Sequence, residues 1–247
     1  MIIAVCGKGG VGKTTLSALL VLRLAARGMK PVLAVDADPN ACLDAALGLP
    51  APGSVGALRE DARDAKGMSK HEFLEYRLAE CLAEGEDFDL LAMGRPEGPG
   101  CYCFANSVLR DLTSKISGRY PHVVLDNEAG LENLSRRLAP AVDLLILASD
   151  PSARGLATAA RIRGLAAELG ISAGRLALAV NRLPGPLPPA ARDLAETLGA
   201  DLVLELPEDP ALAALDREGA ALDRLPADNP LVAAVDAFLD RILPANP

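Results

Sequence analysis

Nine consecutive residues, Gly7-Lys8-Gly9-Gly10-Val11-Gly12-Lys13-Thr14-Thr15, constrain the fold more tightly than any other part of the chain. They follow the apolar run Ile2-Ile3-Ala4-Val5-Cys6 and precede a stretch, 14–27, that is apolar nearly all round and closed by Gly28. From Gly7 to Thr14 the segment satisfies G-x-x-x-x-G-K-[ST] in the strand–loop–helix setting that this pattern requires. Glycines let the backbone curl until successive N–H groups point inward, which makes an anion nest at a helix N-terminus. Lys13 then supplies a point charge between terminal phosphates, and the Thr14 hydroxyl is expected to ligate Mg²⁺. A helix this apolar belongs inside, against a sheet. The loop therefore predicts a nucleoside triphosphate site and a buried β–α unit together.

The same alternation continues. Short, continuous apolar runs at 31–35, 90–93, 123–125, 144–148, 176–180 and 202–206 read as strands covered on both faces. Helical stretches at 70–84, 105–117, 131–138, 153–169, 189–198 and 230–243 separate or follow them, the first opened by a Ser69/Glu72 capping box. The predicted fold is α/β: a single doubly wound, mostly parallel β-sheet flanked by helices on both faces, with residues 1–247 as one domain. Ligands of such sheets sit beyond the carboxyl ends of the strands. With 247 residues, half of them apolar, the chain can bury a core without metal or disulfide staples. Its formal charge of -8 disfavours a nucleic-acid partner, and no apolar run reaches membrane-spanning length. Five cysteines, an odd number, and a first strand without a basic leader predict a reduced, cytoplasmic protein.

Two further strand ends carry acids. Asp36-Ala37-Asp38-Pro39-Asn40 closes the second strand, and Val123-Val124-Leu125-Asp126 is an apolar strand ending in a carboxylate. An Asp after a strand is ordinarily a helix cap. Beside a phosphate loop, Asp38 can orient water for in-line attack and Asp126 can reach the Mg²⁺ shell. Cys101-Tyr102-Cys103 follows a Pro/Gly-rich segment, 96–100. Free cysteines are commonly small core residues, and Cys6, Cys42 and Cys81 read that way. Two neighbouring thiolates, however, are half of a four-donor soft-metal site, and a second copy across a two-fold axis would complete it.

Lys8 lies too early in the loop to duplicate Lys13. The pattern K-G-G-x-G-K-[ST] resembles the deviant phosphate loop of the MinD/ParA/nitrogenase-iron-protein ATPases. That resemblance implies an ATP-gated homodimer in which Lys8 reaches the partner's nucleotide, Asp38 orients the attacking water, and Asp126 begins the γ-phosphate-sensing switch. Lys8, Lys13, Asp38 and Asp126 then form the catalytic set. The segments GPGCYC (98–103), DNEAGLENLSRR (126–137) and SDPSARGLATAARI (149–162) are further similar to the CooC family of nickel-insertion ATPases that mature carbon monoxide dehydrogenase. By that resemblance Cys101 and Cys103 bind Ni²⁺ or Zn²⁺ between protomers, the client is a metalloenzyme, and Asn181, Arg182, Pro207 and Asp209 border the adenine. Two other readings stay open: a positioning or partition ATPase, and an electron-transfer activator with a bridging iron–sulfur cluster. The resemblance assigns no role to Glu128.

Overall fold

The computed structural model describes residues 1–51, 53–57, 70–95, 102–129 and 142–243. Eight strands form one sheet in the order β3-β4-β2-β5-β1-β6-β7-β8, where β1 is Ile2–Gly7, β2 Val32–Asp36, β3 Leu82–Glu84, β4 Phe88–Ala92, β5 His122–Asp126, β6 Val142–Ser149, β7 Ala173–Leu183 and β8 Leu202–Pro207. Every pairing is parallel except the edge pair β3–β4. Around the sheet lie α1 (Lys13–Ala26), α2 (Leu43–Leu47), α3 (Lys70–Cys81), α4 (Tyr102–Ile116), α5 (Ala153–Glu168), α6 (Pro189–Leu198), α7 (Pro210–Glu218) and α8 (Pro230–Ile242).

Successive strand residues point to opposite faces, and the core divides accordingly. Ile3 and Val5 of β1 join Leu16, Leu20 and Leu24 of α1 and Val235, Phe238 and Leu239 of α8 in one layer. Ala4 and Cys6 face the other, with Leu109 and Leu112 of α4, Leu156 and Ile162 of α5 and Ala191 of α6. Both faces are covered by apolar side chains, which is why the strands read as unbroken apolar runs.

All seven predicted strands are present and the predicted fold class is the observed one. One boundary is corrected: the helix expected over 70–84 ends at Cys81, and Leu82–Glu84 turns into β3. Gly85 makes the return, because a Cβ there would collide with the Phe88 carbonyl and its N–H donates to Asp89 Oδ1 at 3.0 Å. The helix expected at 131–138 and the Ser69 cap lie outside the described residues. The last helix packs on α1. Asn229 caps it, accepting from Leu231 N at 2.8 Å, and Asp236 takes both Arg23 of α1 and Arg27 just past its end, at 2.9 and 3.1 Å. No helix among the described residues is long and apolar enough to cross a membrane.

Candidate functional site

β1, β2 and β5 end side by side at one edge of the sheet, and the site is built from the loops that leave them there. The chain leaves β1 at Gly7, packed so closely on β6 that a Cβ would collide with the Ala148 carbonyl. It turns through Gly10 (φ 78°) and Gly12 (φ 90°), left-handed conformations that glycine adopts without strain, and enters α1 at Lys13. No side chain caps this helix, so its first N–H groups face the loop. Lys13 is 8% exposed and its ammonium lies 3.3 Å from the Lys8 carbonyl, inside the curl, while Lys8, Gly9 and Gly10 are exposed. Val11 is buried beneath the loop, and Thr14 and Thr15 are half-buried beside it. The cradle fits a polyphosphate: free N–H donors, a sequestered ammonium, and a backbone path that side chains would block.

Two carboxylates stand under this loop, directly in register on β2 and β5: Asp36 and Asp126, each 1% exposed. Asp126 accepts from the Ser17 hydroxyl at 3.1 Å and from the Thr14 hydroxyl. Burial pushes its pKa up to about 6, against the pull of those hydroxyls and of Lys13. Asp36 is pushed up to about 7 by burial and by the neighbouring Asp126. Its Oδ1 accepts from Asp38 N at 3.0 Å and its Oδ2 from Leu43 N at 2.9 Å. Asp36 thus shapes the loop that presents Asp38, a half-buried residue whose Oδ1 accepts from Asn40 N at 2.8 Å and Asn40 Nδ2 at 2.9 Å. Asn40 is in turn gripped by Arg95 at 2.6 Å. A carboxylate bonded to a threonine hydroxyl, with a second carboxylate beside it, is a hard oxygen donor set that suits Mg²⁺. Ser17 is not among the residues the sequence points to, and Asp36 is read there only as part of the acidic strand end, with the role given to Asp38. The signal for Ser17 was a hydroxyl on an otherwise apolar helix.

Asn181, 7% exposed, ties β7 to the phosphate loop: its Nδ2 donates to Val11 O at 2.9 Å, and a Cβ on Gly12 would strike it. Arg182 comes next, with φ 58°. Pro207 ends β8, and Asp209 caps α7, accepting from Leu212 N at 2.7 Å and from Asn229 Nδ2 at 3.0 Å. Cys101 lies outside the described residues; Cys103 falls in the first turn of α4, and its side chain is likewise outside them. Among the described residues no group of three or more His, Cys, Asp or Glu is placed to hold a metal ion. Cys6 and Cys81 are buried as expected, but Cys42 is exposed. It walls a cavity of about 260 Å³ beside Thr14, Thr15 and Asp216, because the chain bends after Asp38 and brings the start of α2 to the loop.

Comparison with known proteins agrees with this geometry. The model of the CobQ/CobB/MinD/ParA nucleotide-binding domain family matches residues 2–222. An uncharacterized ATP-binding protein of Methanocaldococcus jannaschii is 39% identical, covering 98% of both chains. The carbon monoxide dehydrogenase accessory protein CooC of Rhodospirillum rubrum is 35% identical, covering 100% of this chain and 99% of its own. Among solved structures, a ParA family ATPase from Chlorobium tepidum superposes with a TM-score of 0.73 at 18% identity, covering 98% and 99% of the two chains. The MinD cell division ATPase of Pyrococcus furiosus does so with a TM-score of 0.68 at 22%, covering 97% and 98%. With its phosphate loop, paired acids and doubly wound sheet, the chain belongs to the CobQ/CobB/MinD/ParA nucleotide-binding family and is a P-loop ATPase of that family.

Proposed function

We propose that this ATPase is a metallochaperone: a nucleotide-gated homodimer that holds a nickel or zinc ion on Cys101 and Cys103 of both copies and assists nickel insertion into a carbon monoxide dehydrogenase. The observation that carries the reading is the similarity to CooC over the whole length of both chains, in a chain that keeps a Cys-x-Cys pair.

The residues divide the work. Gly7, Gly9, Gly10, Val11 and Gly12 present N–H groups to the phosphates, Lys13 neutralises the β/γ region, and Thr15 supports the α-phosphate side. Thr14 and Asp126 would hold Mg²⁺, which offsets charge on the phosphate oxygens when bound. Asp38, with Oδ1 fixed by Asn40, turns Oδ2 to the attacking water and places it in line with the γ-phosphate. Lys8, exposed at the loop's tip, stabilises the partner's transferring phosphoryl group. Asn181, Arg182, Pro207 and Asp209 border the base. Loss of the γ-phosphate removes the contacts that close the dimer, so metal affinity differs between nucleotide states.

A membrane-positioning role draws no support from the last helix, whose acids are engaged with α1 rather than balanced by a basic face. The test is direct. Wild-type protein is expected to bind one metal ion per two chains, and the Cys101→Ser/Cys103→Ser variant to lose tight binding while keeping its affinity for ATP. Stoichiometric binding retained by that variant rejects the cysteine pair.

A further inference from the structure

Asp38 is held in place by a relay that starts on a different strand. β4 pairs with β2 up to Asp36, and just beyond the last pair Met93 N donates to the Asp36 carbonyl at 2.8 Å. Gly56 N donates to the Met93 carbonyl at 2.6 Å, and a Cβ on Gly56 would collide with the carbonyl groups of Gly94 and Arg95. The backbone that carries Arg95 is thus held between β2 and the single turn Val55–Ala57. From there Arg95 Nη2 donates to Asn40 Oδ1 at 2.6 Å.

That contact decides which way Asn40 faces. A guanidinium has donors only, so the amide atom turned to it must be the oxygen, and the amide nitrogen points the other way. Asn40 Nδ2 accordingly donates to Asp38 Oδ1 at 2.9 Å, and Asn40 N donates to the same oxygen at 2.8 Å. With the amide reversed, its oxygen would face the carboxylate and repel it. Asn40 is exposed, so without a partner on its oxygen the amide is free to turn. Asp36 fixes the backbone of the same turn, accepting from Asp38 N at 3.0 Å. Both donors from Asn40 fall on one carboxylate oxygen, so the relay sets the rotation of the Asp38 side chain and with it the direction of Oδ2.

We propose that Arg95 is a positioning residue for hydrolysis: by holding the Asn40 oxygen it orients the Asn40 amide, which in turn orients the Asp38 carboxylate towards the attacking water. This rests on the water-orienting role given to Asp38 above and adds the residue that fixes it, on a segment that no phosphate-loop pattern includes.

The test uses the full chain with Mg²⁺ and saturating ATP, at protein concentrations where the rate per chain no longer rises. Arg95→Ala is expected to lower kcat about tenfold, with KM for ATP and affinity for ADP within a few-fold of wild type, because the contact acts on orientation and not on the phosphates. Unchanged ADP affinity also reports that the variant is folded. Asn40→Ala is expected to match Arg95→Ala, and the double variant to be no slower than either alone, since both break one relay. Affinity for ADP with aluminium fluoride, which stands in for the transferring phosphoryl group, is expected to fall by the same factor as kcat. A kcat unchanged in Arg95→Ala, losses that add in the double variant, or a loss that falls equally on ADP affinity overturns the proposal. Asp38→Ala that hydrolyses ATP at the wild-type rate removes the role of Asp38 itself, a separate failure read before Arg95 is changed.

Discussion

Ser17 and Asp36 shape the acidic floor of the site, Ser17 from outside any motif and Asp36 from the strand end whose role the sequence gives to Asp38. Ser17→Ala takes a donor from a buried carboxylate, and the expected cost is about 1–3 kcal/mol in urea unfolding. Each of Asp36 and Asp126 binds its proton more tightly folded than unfolded, against an ordinary value of 3.8. That preference favours the folded state fully below the ordinary value and is lost as pH rises through about 6 for Asp126 and about 7 for Asp36. Nucleotide-free protein should therefore lose stability between mildly acidic and neutral pH, and Asp36→Asn should reduce the slope. A stability that climbs over that interval contradicts the assignment. Lys13 and Thr14 were legible because their chemistry depends on spacing along the chain. Asp36 was not, because its pairing with Asp126 is set by the register of two strands 90 residues apart.

At the scale of elements, the central strands were visible because each is buried on both faces and so is apolar throughout. β3 was hidden for the opposite reason: Leu82-Ala83-Glu84 continues the helical pattern of α3, and only the turn at Gly85 and the partner strand make it extended. α2, five residues long, is likewise too short for a periodic signal; its start is pinned by Asp36 accepting from Leu43 N. The α1–α8 contact was half-visible, as an acidic helix without a basic face, but its partners on α1 were not. Asp236 engages Arg23 and Arg27, and Asp240 engages Arg27 at 2.7 Å. All but Asp240 are about a quarter exposed, so Asp236→Ala is expected to cost about 1 kcal/mol, falling at high salt. A cost that salt does not reduce would place the effect in packing instead.

In the whole molecule, three features meet at one sheet edge: the phosphate loop, Asp38 with its Asn40 clasp, and an exposed Lys8. Lys8→Ala should abolish dimerisation driven by ATP while leaving nucleotide affinity within a few-fold, whereas Lys13→Ala should remove nucleotide binding itself, about 100-fold or more. In the sequence, Arg95, which holds Asn40, stands six residues before Cys101. The decisive measurement is calorimetric titration of wild-type protein with Ni²⁺ and with Zn²⁺, in ADP and again in a non-hydrolysable ATP analogue. A nucleotide-gated metallochaperone should bind one ion per two chains, with an affinity that changes about tenfold or more between the two nucleotides. Equal affinity in both, or one ion on each separate chain, would contradict it.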